Sequence, residues 1–110
     1  METMKDSTEI AMRLIAHSGD ARSYAFAALE LAKEKKYDEA KEKIKLAEEC
    51  SVEAHKAQTD LLVQEANGER VDINVLLIHS QDHLMTSMLA LELIRELVSV
   101  YEVKEDRKEE

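Results

Sequence analysis

Leu76-Leu77-Ile78-His79-Ser80-Gln81-Asp82-His83-Leu84-Met85-Thr86 sets two imidazoles, an amide and a carboxylate into a segment otherwise apolar enough to be buried. An unpaired carboxylate taken out of water costs free energy or takes up a proton, so polar groups in such a place mark a site. Outward from this stretch the apolar spacing predicts a helix from about Asp72, a plausible cap, to about Val103. The charged tail Lys104-Glu105-Asp106-Arg107-Lys108-Glu109-Glu110 reads as its frayed, solvated end. At about 100° per residue, Val75, Leu89, Leu93, Leu97, Val100 and Tyr101 spread over one broad side, with Glu92, Arg95, Glu96 and Ser99 as a narrow polar strip opposite. More apolar surface results than two further helices of one chain can cover. Identical chains are therefore expected to associate through this helix.

Two more helices precede it. From about Glu9 to Lys35, Ile10, Leu14, Ala21, Ala25, Ala28 and Ala32 share a side, with Met12, Ile15 and Phe26 nearby. Gly19 inside that pattern implies a close helix contact or a local kink. Lys33-Glu34-Lys35-Lys36 suits the negative end of a helix, and Asp38 can cap the next one. From about Glu39 to Ala66 a thin heptad seam runs through Ala40, Ile44, Ala47, Ser51, Ala54, Gln58 and Leu61. Its small and polar members imply intimate packing against both other helices. Asn67-Gly68-Glu69-Arg70 reads as a turn, Gly68 supplying the positive φ that ends a helix. The fold expected is all-α, a three-helix antiparallel up-down bundle in one domain over residues 1–110, with its core in about 9–103.

Bulk properties agree and exclude several functions. Two glycines, no proline and 4% aromatic residues favour helices with short connections. A formal charge of −9 argues against nucleic acid and acidic lipid, which need a cationic surface. Met1-Glu2-Thr3-Met4-Lys5-Asp6 lacks the apolar run of a secretion signal, and no span of about 20 apolar residues occurs, so a soluble, cytoplasmic chain is expected. Cys50 alone cannot form an internal disulfide or a CxxC pair; it reads as a small, partly buried hydrophobe. No Gly-rich phosphate cradle is present, which removes an independent kinase or ATPase.

The polar cluster admits more than one chemistry. His79, Asp82 and His83 fall within the arc of Leu93, Leu97 and Tyr101, so their side chains enter the expected interface. Asp82 aligns with Val75, Leu89, Leu93 and Val100; a rotation axis beside this helix would bring copies of Asp82 together, to share protons or bind a hard divalent cation such as magnesium or calcium. His79 and His83 stand four apart on one face, the spacing of paired metal ligands, but no HExxH or Glu-x-x-His accompanies them. They can equally be hydrogen-bonded core residues, or ligands of a metal-dependent hydrolase. His17 and His55 have no such company. A neutral imidazole at His79 is also a nitrogen nucleophile that can accept a phosphoryl group and, because the N–P bond is labile, hand it on. A helical interaction or scaffold module, in which the cluster only specifies assembly, is the competing class.

His79-Ser80-Gln81-Asp82-His83-Leu84-Met85-Thr86, with Ser18-Gly19-Asp20-Ala21-Arg22-Ser23 and Glu53-Ala54-His55-Lys56-Ala57-Gln58-Thr59, resembles the IIA components of the lactose/cellobiose/chitobiose branch of the phosphoenolpyruvate-dependent sugar phosphotransferase system. The resemblance spans about residues 9–103. It implies a homotrimer of three-helix subunits, a nine-helix bundle. His79 would be phosphorylated on Nε2 by the histidine phosphocarrier protein and would pass the group to a cysteine of the IIB component, for sugar uptake through the membrane IIC component. By the same resemblance Asp82 sits at the trimer axis, its three copies sharing one metal ion, with magnesium expected, and Gln81 and His83 lie close to the site. Gln81 points elsewhere on its own helix than His79, so it would assist only across a subunit boundary. Ser80 stands where the family more often carries Ala. Cys50, mid-helix, is not the IIB-type acceptor.

Overall fold

Alanine sets the spacing of this molecule. The computed structural model describes residues 6–109, with side chains through 107; Met1 to Lys5, read as free of a secretion signal, and Glu110 of the charged tail lie outside the described residues. Three helices follow in order, α1 (Thr8–Lys33), α2 (Tyr37–Ala66) and α3 (Val75–Glu109). Ala25, Ala28 and Ala32 of α1 pack with Ala40, Ile44 and Ala47 of α2 and with Leu91, Ile94 and Val98 of α3. Ile10, Ala11 and Leu14 pack with Ala54, Ala57 and Leu61, and with Val71, Leu77 and Leu84. The end of α1 thus meets the start of α2 and the end of α3, which makes the topology up-down-up. Methyl side chains let helix backbones approach closely, and each buried Ala loses no rotamer freedom.

The helix that does most of this packing is α1. It contacts both neighbours along its length, while α2 and α3 touch only sparsely. This corrects the expectation that α2 packs intimately on both: the alanine faces of α1 draw the other two helices toward themselves. Ser18 and Ser87 are buried between the two apolar clusters, and neither hydroxyl has a hydrogen-bond partner among the described residues. A Cβ added at Gly19 would meet nothing within 4 Å. The close contact expected there is absent within the chain, and α1 runs through Gly19 as a continuous helix.

The ends differ from expectation for local reasons. Asp38 lies inside the first turn of α2, whose preceding residue is Lys36, and no side chain caps it. Asn74, not Asp72, caps α3: its Oδ1 accepts the Leu77 N–H at 2.9 Å. Asp72 is held outside the helix, where its carbonyl accepts the Ser7 hydroxyl at 2.7 Å and its carboxylate accepts Asn74 Nδ2 at 3.0 Å. Gly68 takes φ 82° and closes α2, with the Glu69 N–H bonded to the Gln64 carbonyl at 3.0 Å. Lys35 does the same for α1 at φ 65°, with the Lys36 N–H on the Leu31 carbonyl at 2.9 Å.

The charged tail does not fray but continues α3 to Glu109. Lys, Glu and Arg are good helix formers, and three contacts tie the last turns of α3 to the α1–α2 connection and the start of α2. Lys35 pairs with Glu105 at 3.3 Å, Lys41 with Glu102 at 3.0 Å, and the Tyr37 hydroxyl donates to the Tyr101 carbonyl at 3.3 Å. The result is a rod of 71 × 20 × 16 Å with a radius of gyration of 17.7 Å, against about 13 Å for a round domain of this length. Among the described residues no helix is long and apolar enough to cross a membrane.

Candidate functional site

The site lies on the side of α3 that its own chain leaves bare. Leu77, Ser80, Leu84, Ser87, Leu91, Ile94 and Val98 are buried. On the other side Val75 is 81% exposed and Met85 69%, and Ile78, Leu89, Leu93 and Val100 are exposed with them. Asp82 stands in the middle of this row and is exposed. Its carboxylate has no hydrogen-bond or ion-pair partner among the described residues, and its backbone carbonyl accepts the Thr86 hydroxyl at 2.7 Å.

His79 sits at the rim of the apolar row and is exposed; His83, one turn on, is half-buried. Their ring centroids are 4.7 Å apart with planes inclined at 77°, an edge-to-face contact that limits rotation of both rings. Neither ring nitrogen of either residue is hydrogen-bonded among the described residues, so a nitrogen of His79 is open to a reagent from outside. Ser80, between them in sequence, is fully buried, and its hydroxyl donates to the Leu77 carbonyl. A hydroxyl where Ala would fit is accommodated because its own helix satisfies it.

Gln81 faces away from this pair. Its amide and that of Gln58 on α2 bond reciprocally, Gln58 Nε2 to Gln81 Oε1 at 2.8 Å and Gln81 Nε2 to Gln58 Oε1 at 2.7 Å. Sequence reasoning placed Gln58 on the α2 seam without finding its partner; an amide where the seam wants an apolar group was the signal. His17 and His55 lie on α1 and α2, not on the helix of the pair, and the His55 carbonyl accepts the Thr59 hydroxyl at 3.0 Å. Cys50 is half-buried, and burial raises its thiol pKa above the usual range, helped by the nearby charges of Asp20, Glu49 and Glu53. It is thus held as a thiol rather than a thiolate.

Among the described residues no three His, Cys, Asp or Glu side chains of the chain gather to hold a metal. His79 and His83 therefore supply two ligands at most, fewer than a zinc hydrolase needs from one copy. Asp82 offers hard carboxylate oxygens, the donor type for magnesium, but one copy offers only one such group.

Fold and site define a helical rod with an accessible imidazole at the rim of an uncovered apolar face. Residues 9–102 match the family described as PTS system, Lactose/Cellobiose specific IIA subunit. The chain belongs to that family and is a IIA component of the sugar phosphotransferase system. It is 42% identical over 97 residues to the lactose-specific EIIA component of Streptococcus mutans, covering 88% of this chain and 93% of that one. The crystal structure of the cellobiose-specific enzyme IIA from Bacillus anthracis superimposes with a TM-score of 0.89 at 44% identity, covering 94% and 95% of the two chains. The IIA(Chitobiose)–HPr complex of the Escherichia coli phosphotransferase system gives a TM-score of 0.78 at 40% identity, covering 92% and 98%.

Proposed function

We propose that His79 carries a phosphoryl group between two partner proteins, and the observation that carries this is its open ring at the rim of the bare α3 face in a chain of this family. The donor is the histidine phosphocarrier protein, as in the complex of the chitobiose relative. The lone pair of His79 Nε2 attacks phosphorus in line; the new N–P bond forms as the donor's N–P bond breaks, and Nδ1 keeps its proton. A thiolate of the IIB component then attacks, an S–P bond forms, and neutral imidazole is regenerated. The sugar, of the lactose, cellobiose and chitobiose class, is phosphorylated downstream during uptake by way of the membrane IIC component, which places this chain in the cytoplasm.

Three copies associate along α3 in this reading, because only further copies of the same apolar face remove so much of it from water. His83 limits rotation of the His79 ring through their edge contact, and Gln81 supports the site from the neighbouring side. Asp82 fits a shared cation: its carboxylate is unpaired, exposed and set amid Ile78, Met85 and Leu89. One magnesium ion per trimer would offset the charge of three carboxylates there, and metal analysis should find one ion per three chains. Incubation with phosphoenolpyruvate, enzyme I and the phosphocarrier should label the wild type with one phosphoryl group per chain. His79→Ala should take none; label retained in that variant defeats the assignment, and a wild type that takes no label leaves the scaffold reading.

A further inference from the structure

α3 meets its own chain along two unequal lines. Toward α1 it presents Leu77, Ser80, Leu84 and Ser87, answered by Ala11, Leu14 and Ser18, all buried. Ala11 and the three serines make shallow ridges and grooves between the leucines, so this line resists a roll of α3 about its own axis less than a continuous row of large side chains would. Toward α2 the contacts are few, and near His79 the side-chain hydrogen bonding to α2 among the described residues is the Gln58–Gln81 pair. The other side-chain links from α2 to α3, Glu48 to Arg95 at 3.3 Å, Lys41 to Glu102 at 3.0 Å and the Tyr37 hydroxyl to the Tyr101 carbonyl at 3.3 Å, are solvent-exposed and begin about 20 Å further along the helix. Exposed pairs of that kind constrain little.

Two bonds between planar amides fix direction as well as distance. We propose that Gln58 is a positioning residue for His79, acting through Gln81: the amide pair sets the roll of α3 at the turn that carries the two histidines. Gln81 is two residues from each of them, so a roll that parts it from Gln58 swings both rings by the same angle. For a side chain about 6 Å from the helix axis, a roll of about 10° is a displacement of about 1 Å. In-line transfer between two docked proteins tolerates that poorly, with losses on the order of 100-fold for misplacements of this size.

The inference rests on the phosphocarrier reading. Gln58→Met keeps an unbranched, helix-forming side chain of similar length and removes both bonds. Single-turnover transfer from the phosphorylated histidine phosphocarrier protein, followed over a range of donor concentrations, should show a saturating rate lowered about 10- to 100-fold with the half-saturating concentration unchanged. Gln81→Met should be slowed at least as much, and the double variant should be no slower than Gln81→Met alone. Gln58→Glu, which returns a charged acceptor to Gln81 Nε2, should recover most of the rate. Full-rate transfer by Gln58→Met overturns the proposal, as do single losses that multiply in the double variant or a loss confined to donor affinity. Should circular dichroism show Gln58→Met misfolded, Gln58→Ala is read by the same criteria. A wild-type protein that takes no label on His79 sinks the phosphocarrier reading itself, whereas normal labelling with full-rate Gln58→Met sinks only the role of Gln58.

Discussion

Leu77, Ser80, Leu84, Ser87, Leu91, Ile94 and Val98 turn one side of α3 into the chain, whereas Val75, Ile78, Met85, Leu89, Leu93 and Val100 turn the other outward. The outward row is no more polar than the inward one: apart from Asp82 it is apolar, while the inward row carries two serines among Leu, Ile and Val. Serines occur on the buried side, where α1 presses close, while aliphatic chains of similar size occur on both. Apolar character alone therefore does not tell which side of a helix its own chain buries. The serines mark the buried side better, because a small hydroxyl fits where alanine-rich α1 comes close.

Breaking the outward side should have the largest effect. Leu89→Glu with Leu93→Glu puts two charges where apolar contact between copies is proposed, and each lost leucine removes about 1.5–3 kcal/mol of burial. Association should weaken by at least about 100-fold, and sedimentation should report single chains that are still helical. An unchanged mass would show that the bare side is not where copies meet. On the inward side, Leu84→Ala should lower the unfolding free energy by about 2–5 kcal/mol, read by denaturant titration, since it opens a cavity between α1 and α3. The smallest effect belongs to Ser87→Ala, which removes a buried hydroxyl without a partner. Stability should stay level or rise by up to about 1 kcal/mol, and a clear loss would mean that the hydroxyl is satisfied after all.

Periodicity made the helices and their stripes legible. Ile10, Leu14, Ala21, Ala25, Ala28 and Ala32 are buried together as their spacing predicts, and so are Ala40, Ile44, Ala47, Ala54 and Leu61. The broad face of α3 through Val75, Leu89, Leu93 and Val100 is continuous and uncovered. Helix ends were harder, because they depend on contacts distant in sequence. Asp72 and Asn74 are both good caps, and the choice is bound up with the Ser7 hydroxyl on the Asp72 carbonyl, 65 residues away. Lys35 takes a left-handed conformation without the glycine that would announce it, and the charged tail stays helical beside Tyr37 and Lys41.

Within the site, the four-residue spacing of His79 and His83 placed their rings on one side, and the structure brings them to 4.7 Å. Gln58 was legible only as a polar residue in a seam. No pattern internal to one helix says which residue of another it will meet, and the pairing with Gln81 depends on how far α2 has slid along its neighbours.

The 71 Å length also governs how the protein moves through solvent. A slender rod drags more than a sphere of equal mass, so a lone chain would leave a sizing column early, as if heavier than it is. Three rods laid side by side grow thicker but no longer, and their friction rises less than a threefold mass would suggest for round particles. The two states would elute closer together than their masses imply, and light scattering, which weighs particles without regard to outline, separates them cleanly.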